Sequence, residues 1–222
     1  MSAALAVFAK TPGLSPVKTR LARGIGMTAA LHFHQLATRA TAEVVTACGD
    51  CLIPYWALAE DQPYARAHRH EFPVISQGDG TLGDRMYRVH RELQARHGAA
   101  LMIGTDIPQI SPRLLVDAIN TLSRPDVDHI LGPAKDGGFW LFGSNHPVSQ
   151  QSWSRVPCST NRTAETLRIE LADSGYLAVL PTLTDIDTAA DLDDLREALS
   201  RLSGATSTQR ELLDWLNTLP GR

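Results

Sequence analysis

The chain has 222 residues, 43% of them hydrophobic, and a formal net charge of −3 at pH 7. That apolar content excludes wholesale disorder, and the length suits one large α/β domain. The near-neutral charge balance excludes the broad basic face of a nucleic-acid binder, so any anion binding has to be local.

No apolar stretch reaches the ~20 residues needed to span a bilayer. Residues 1–9 lack the basic start and small-residue cleavage site of a signal peptide, so the cytoplasm is the expected location. Cys48, Cys51 and Cys158 form an odd set with no disulfide framework. The CxxC spacing of Cys48 and Cys51 follows a helical pattern and enters a strand, and no second pair completes a zinc site, so both read as ordinary thiols.

In chain order, 3–9 (AALAVFA) is a near-continuous apolar run, the pattern of a strand buried on both faces. The loop FAKTPGLSPVKTRLARGIG over 8–26 follows, with four cations, Lys10, Lys18, Arg20 and Arg23, and no acid. Thr28 is a good N-cap for a long helix over 29–47. Strands are expected over 52–59 and 73–76, and a helix over 82–97 with Met86, Val89 and Leu93 on one face. The run 99–103 is a second buried strand, ending at Gly104-Thr105-Asp106. Ser111 as N-cap and Pro112 at the first helical position open a helix through 122.

Residues 129–131 and 139–142 are strand-like and flank Lys135-Asp136-Gly137-Gly138. A helix over 161–172, a strand over 176–180, a helix from Thr188 through about 202 and a last helix over 209–219 complete the chain. Strands alternating with helices predict a mostly parallel mixed sheet with helices on both faces, read as one domain over 1–222 with 203–222 as a C-terminal helical extension.

Ligands of such sheets sit beyond the carboxyl ends of the strands. The cationic loop after the first strand and the acidic loop at Asp106 both fall there. The cationic loop is neither a Walker A motif nor GxGxxG. Pro12-Gly13 makes a turn, and Lys18 and Arg20 stand at the start of a helical segment, where a helix N-terminus and two cations attract a diphosphate. A solvated basic loop is the alternative.

Asp106, held by the strand end and Pro108, suits a divalent metal, which is commonly held by one or two carboxylates plus substrate phosphates. Asp136-Gly137 is a hairpin-turn signal, and the tandem glycines also permit close approach of backbone to ligand. Thr188 with Asp191 resembles a capping box. Asp185 and Asp187 precede that cap and are not needed for it, so either is available as a second metal ligand. The histidines do not cluster: His32 and His34 are two residues apart on a helix, and His68 and His70 fall in a polar stretch. Neither HExxH nor GxSxG occurs, which counts against metalloproteases and α/β-hydrolases.

Five motifs occur in order: Phe8-Ala-Lys-x-Pro-Gly-x-x-x-x-Val-Lys-Thr-Arg-Leu, Gln77-Gly-Asp-Gly-x-Leu-Gly-Asp-Arg-Met86, Ile103-Gly-Thr-Asp-x-Pro108, Gly132-Pro-Ala-x-Asp-Gly-Gly-Phe139 and Asp185-Ile-Asp-Thr188. Together they resemble a bacterial family of glycosyltransferase-A-like proteins assigned as nucleotide-diphospho-sugar transferases, one branch of which is named for arsenosugar biosynthesis. The resemblance covers roughly 3–195. It implies one Rossmann-like glycosyltransferase-A domain and a transfer of a sugar from a nucleoside-diphosphate donor to a small acceptor, assisted by Mg²⁺ or Mn²⁺.

By the resemblance, Lys10, Pro12, Gly13, Lys18, Arg20, Gly78, Gly83, Arg85 and Thr105 hold the nucleotide and its phosphates, with Lys18 and Arg20 stabilising the leaving diphosphate. Asp106 matches the family's metal-binding acid, with Asp187 as the second metal ligand; the mechanism drawn from these clusters makes Asp136, or else Asp187, the base, and Asp136, Gly137 and Gly138 face sugar or acceptor. Arg23 falls outside the match. The usual DxD is reduced to Thr105-Asp106, and Lys135 stands where the family more often carries Glu, adding a cation near the acceptor. A nucleotidyltransferase of cofactor biosynthesis, guanylyltransferase-like, is the rival, but its Gly-rich loop is absent; a catalytically idle nucleotide-binding module is the third reading. The expected partners are a nucleotide sugar and a small-molecule acceptor, with no nucleic acid and no membrane span, and a homodimer is left open.

Overall fold

A computed structural model describes residues 3–67, 69–158 and 160–219; His68 lies outside them. The first apolar run forms β1 (Ala3–Ala9), which takes the middle of the sheet because it is buried almost throughout. After it come α1 (Thr19–Ile25), α2 (Met27–Ala47), β2 (Leu52–Leu58), α3 (Pro63–Ala67), β3 (Val74–Ser76), α4 (Leu82–His97) and β4 (Ala100–Gly104). The second half adds α5 (Pro112–Leu122), β5 (His129–Pro133), β6 (Phe139–Ser144), α6 (Gln150–Arg155), α7 (Thr163–Leu171), β7 (Leu177–Val179), α8 (Asp191–Ser200) and α9 (Ser207–Thr218).

The seven-stranded sheet runs β3-β2-β1-β4-β6-β5-β7. β1 pairs in parallel with β2 and β4, and β6 runs antiparallel to both β4 and β5. The expected mostly parallel mixed sheet is therefore the one observed. Successive residues of β1 serve opposite faces. Leu5 and Val7 join a core with Trp56, Leu101, Leu115 and Ile119, under α5 and the end of α2. Ala4 and Ala6 join the other core with Met86, Val89 and Leu93 of α4, Trp153 of α6 and Leu167 of α7. A third cluster unites Leu21, Phe33, Ile186, Leu195, Leu212 and Leu216, so α9 packs with α1, α2 and α8.

Local chemistry sets the helix starts. Ser111 Oγ accepts from Leu114 N–H at 3.1 Å, with Pro112 next in line, as expected. Two expected caps are not the ones observed. Gly26 (φ 85) ends α1 and caps α2, so α2 begins at Met27 and Thr28 is inside it. At α8 half of the expected capping box forms: Asp191 Oδ2 accepts from Thr188 N–H at 2.6 Å, but Thr188 Oγ1 donates to the same oxygen at 2.9 Å rather than accepting from the backbone, and the helix begins at Asp191. The short α3 and α6 fell outside the sequence reading, because five or six residues are too few to show a period. No helix among the described residues is long and apolar enough to cross a membrane.

Candidate active site

A cleft of about 690 Å³ opens at the carboxyl edge of β1 and β4, the edge where open parallel sheets bind ligands. Lys10, Lys18, Arg20, Thr105, Asp106, Asp136, Gly138 and Asp187 all line it. The cationic loop, the Asp106 loop, the β5–β6 turn and the segment before α8 thus converge across the whole length of the chain.

The convergence has a local cause. Ile186 is fully buried in the third cluster, and its N–H donates to the Asp106 carbonyl at 3.0 Å. That anchor holds the flanking Asp185 and Asp187 beside Asp106, with carboxylate oxygens of all three within 4.8 Å of one another. Gln209, buried at the start of α9, donates its amide to the carbonyls of Pro108 and Ile110 at 2.8 and 2.7 Å and fixes the loop from the other side.

Lys18 meets this trio head on. Its side chain is 3% exposed, and Nζ lies 2.8 Å from Asp106 Oδ1 and 3.9 Å from Asp187 Oδ1, while also donating to the Ile186 carbonyl. Among the described residues Lys18 is the one non-glycine with positive φ, at 47°, a conformation that costs an L-residue about 1 kcal/mol. Arg20, 65% exposed on its side chain, reaches Asp187 Oδ2 at 3.1 Å. Burial, with the charges of Asp106, Asp187 and Asp136 added, pushes the Asp185 carboxyl up to about 7 against the pull of Lys18. Its Oδ1 is buried without a hydrogen-bond partner. His34 lines the cleft at 4% exposure, held below its ordinary pKa by burial, with Nε2 unbonded.

Three amides of the cationic loop are spent on protein partners. Thr11 N–H donates to Glu60 Oε2 at 3.0 Å, and the Leu14 and Ser15 N–H groups donate to the Thr11 carbonyl at 3.1 and 3.0 Å. Pro12 and Pro16 have none to give. Opposite, Asp136 is exposed and its Oδ1 accepts from Gly138 N–H at 2.8 Å, so the turn reading and a place in the cleft hold together. Thr160, Asn161 and Thr163 stand beside it, and Phe8, Met86, Met102 and Phe139 give that end an apolar wall.

Other sequence candidates fall elsewhere. Pro12, Gly13, Gly78, Gly83, Arg85 and Gly137 do not line the cleft. Gly83 lets α4 approach α6: a Cβ there would sit 2.9 Å from the Trp153 carbonyl oxygen. Arg85 Nε donates to the Gly80 carbonyl at 3.2 Å. Lys135 does not bring a cation to the acceptor end, because its Nζ pairs with Asp194 Oδ2 at 2.6 Å, on α8. Asp185 was in the sequence reading only as an alternate to Asp187, and His34 was set aside there. An orphaned acid within an Asp-x-Asp pair was the available signal for Asp185; nothing in the sequence marked His34.

A family profile described as "Uncharacterized protein conserved in bacteria (DUF2064)" matches residues 33–160. No curated protein matches the sequence. Among solved structures, a candidate nucleotide-diphospho-sugar transferase from Desulfovibrio desulfuricans superposes with a TM-score of 0.84 at 21% identity, over 98% of this chain and 96% of that one. The 4-diphosphocytidyl-2C-methyl-D-erythritol synthase of Anaerococcus prevotii superposes at 0.59, with 10% identity over 97% and 96% of the two chains. A CMP:2-keto-3-deoxy-manno-octonic acid synthetase complexed with CTP superposes at 0.52, with 14% identity over 90% and 99%. At these identities the likeness is one of fold.

Proposed function

We propose, for a chain that belongs to the DUF2064 family of bacterial proteins, a glycosyltransferase that moves a sugar from a nucleoside-diphosphate donor to a small acceptor with a divalent metal. One observation carries the reading: Lys18, Arg20 and three aspartates meet in one cleft at the carboxyl edge of the sheet. The cationic loop lacks the run of glycines that lets a nucleotidyltransferase lay a triphosphate against backbone N–H groups, which favours a diphosphate donor. The names of the similar structures support nucleotide chemistry in general and leave the sugar and nucleotidyl classes both represented.

The residues fit a metal. Three carboxylates within 4.8 Å are hard oxygen donors, and Asp185 Oδ1 is a buried oxygen in want of a partner. Asp106, Asp185 and Asp187 would hold Mg²⁺ or Mn²⁺, which supplies neutralisation of the diphosphate charge when bound. Lys10 and Arg20, both exposed at the cleft, bind and orient the diphosphate, and Arg20 stabilises the charge of the leaving group. Asp136 takes the proton of an acceptor hydroxyl at its carboxylate, and the apolar wall of Phe8, Met86, Met102 and Phe139 excludes water from that end. A thermal-shift panel of nucleotide sugars, nucleoside diphosphates and triphosphates, with and without Mn²⁺, tests this. Metal-enhanced stabilisation by nucleotide sugars is expected; stabilisation by triphosphates alone would overturn it.

A further inference from the structure

Lys18 was expected at the phosphates, and its ammonium sits instead among the carboxylates. The partners of Nζ are a carboxylate of Asp106 at 2.8 Å, the Ile186 carbonyl, and a carboxylate of Asp187 at 3.9 Å. These are the hard oxygen donors a divalent cation takes. The Lys18 side chain is 3% exposed and its ammonium occupies the space between these oxygens, while the Asp106 and Asp187 side chains stay 44% and 39% exposed. Both cations cannot share that space: an ammonium and a divalent ion a few ångströms apart repel.

The polar groups of the cluster are incompletely matched. Lys18 and Arg20 engage Asp106 and Asp187, and Asp185 is left with an orphaned oxygen. His34 adds a second unpartnered polar atom, Nε2, on a side chain 4% exposed at the same cleft. A divalent ion can take the place of the ammonium among these oxygens, provided the ammonium finds another anion. Lys18 lies on the lip of α1, on a flexible four-carbon stem that lines the cleft, and a diphosphate arriving there is that anion.

We propose that Lys18 is a resident cation that keeps the carboxylate seat closed to divalent metal until the diphosphate of the donor draws its ammonium away, so that metal and nucleotide load together. This rests on the reading of Asp106, Asp185 and Asp187 as metal ligands. In the free protein Lys18 holds Asp106 and Asp187 in register, and in the loaded protein the same ammonium binds phosphate. Lys18 is thus a positioning residue before it is a phosphate contact.

Metal binding without turnover tests it. The chelator-stripped full chain is titrated by calorimetry and Mn²⁺ electron paramagnetic resonance, first with Mn²⁺ alone and then with the preformed Mn²⁺–pyrophosphate complex. The wild type should bind the complex at least tenfold more tightly than Mn²⁺ alone, a ratio that needs no variant. Lys18→Met should bind Mn²⁺ alone at least tenfold more tightly than the wild type, Lys18→Arg should stay as weak as the wild type, and Asp106→Asn should bind neither probe. Equal affinity of wild type and Lys18→Met for Mn²⁺ alone, or equal affinity of the wild type for Mn²⁺ and its complex, overturns the gate and leaves the metal reading standing. Absence of Mn²⁺ binding in every protein, with and without pyrophosphate, overturns both.

Discussion

Asp106 ties the cationic loop to the segment before α8. It pairs with Lys18 at 2.8 Å, stands within 4.8 Å of two other acids and accepts the backbone bond from Ile186 at 3.0 Å. Asp106→Asn keeps the shape and the backbone bond and removes the charge. Turnover should fall at least about 10²-fold, the range for losing one electrostatic group at a reacting centre, while the circular-dichroism spectrum stays unchanged; retained metal-dependent turnover would remove Asp106 from the chemistry. A second residue-scale prediction concerns stability. His90 is 1% exposed, its Nε2 has no partner, and burial holds its pKa down to about 4 from 6.5. A depressed pKa means that the unfolded chain takes up the proton first, so this contribution is present above pH 6.5 and is lost as pH falls toward 4. The loss amounts to about 3 kcal/mol at most. His90→Leu should flatten the fall of the urea midpoint between pH 6.5 and 4 relative to wild type; an unchanged slope would contradict it. At this scale the sequence pointed to the charged groups of the cleft: Asp106 and Asp187 stood without a structural job, whereas Asp136 carried a turn signal as well and Lys18 read equally as part of a solvated loop. It did not show that Lys18 faces Asp106 rather than open solvent, since that contact joins segments far apart in the chain and is made by folding alone.

At the scale of the element, the strands and long helices were legible for a physical reason: buried parallel strands are continuous apolar runs, and α4 and α5 carry caps and a clean apolar face. The helix starts at Met27 and Asp191 were less legible, because Gly26 and Asp191 supply capping by geometry that several nearby polar residues imitate. The β5–β6 connection shows what a turn glycine does here. Gly137 has φ 88°, its carbonyl accepts from Ala164 N–H at 2.9 Å, and an added Cβ would lie 2.1 Å from the Asn161 carbonyl oxygen. Gly137→Ala should therefore cost about 3 kcal/mol through combined strain and overlap. It should also shift Asp136, Thr160 and Asn161 together, read as a lowered melting temperature and changed amide chemical shifts over 134–138 and 160–164. A variant with wild-type stability would show that the close approach is not needed.

For the whole molecule, the last helix belongs to the site as much as to the surface. α9 completes the third apolar cluster beneath Ile186, and Glu43 on α2 accepts from Ser207 Oγ at 3.0 Å and from Thr208 N–H and Oγ1 at 2.9 and 2.6 Å. Burial opposes ionisation of Glu43, but these bonds outweigh it and hold its pKa near 2. Gln209 carries the connection to Asp106 through its amide bonds to Pro108 and Ile110. Gln209→Met leaves two buried carbonyls unpaired, a loss of about 3 kcal/mol. Hydrogen exchange should quicken over 106–110 and not only within α9; exchange confined to α9 would mean that the C-terminal helix and the acid cluster are independent. The central claim concerns which bond the assembled cleft breaks, and product analysis addresses it directly. Full-length protein, Mn²⁺, a panel of nucleotide sugars and a bacterial small-molecule extract as acceptor source are incubated, and products are separated by liquid chromatography and mass spectrometry. The account predicts a nucleoside diphosphate and a newly glycosylated small molecule, both absent with Asp106→Asn. Pyrophosphate and a nucleotide-linked product formed from nucleoside triphosphates, with no diphosphate released from any nucleotide sugar, would contradict it.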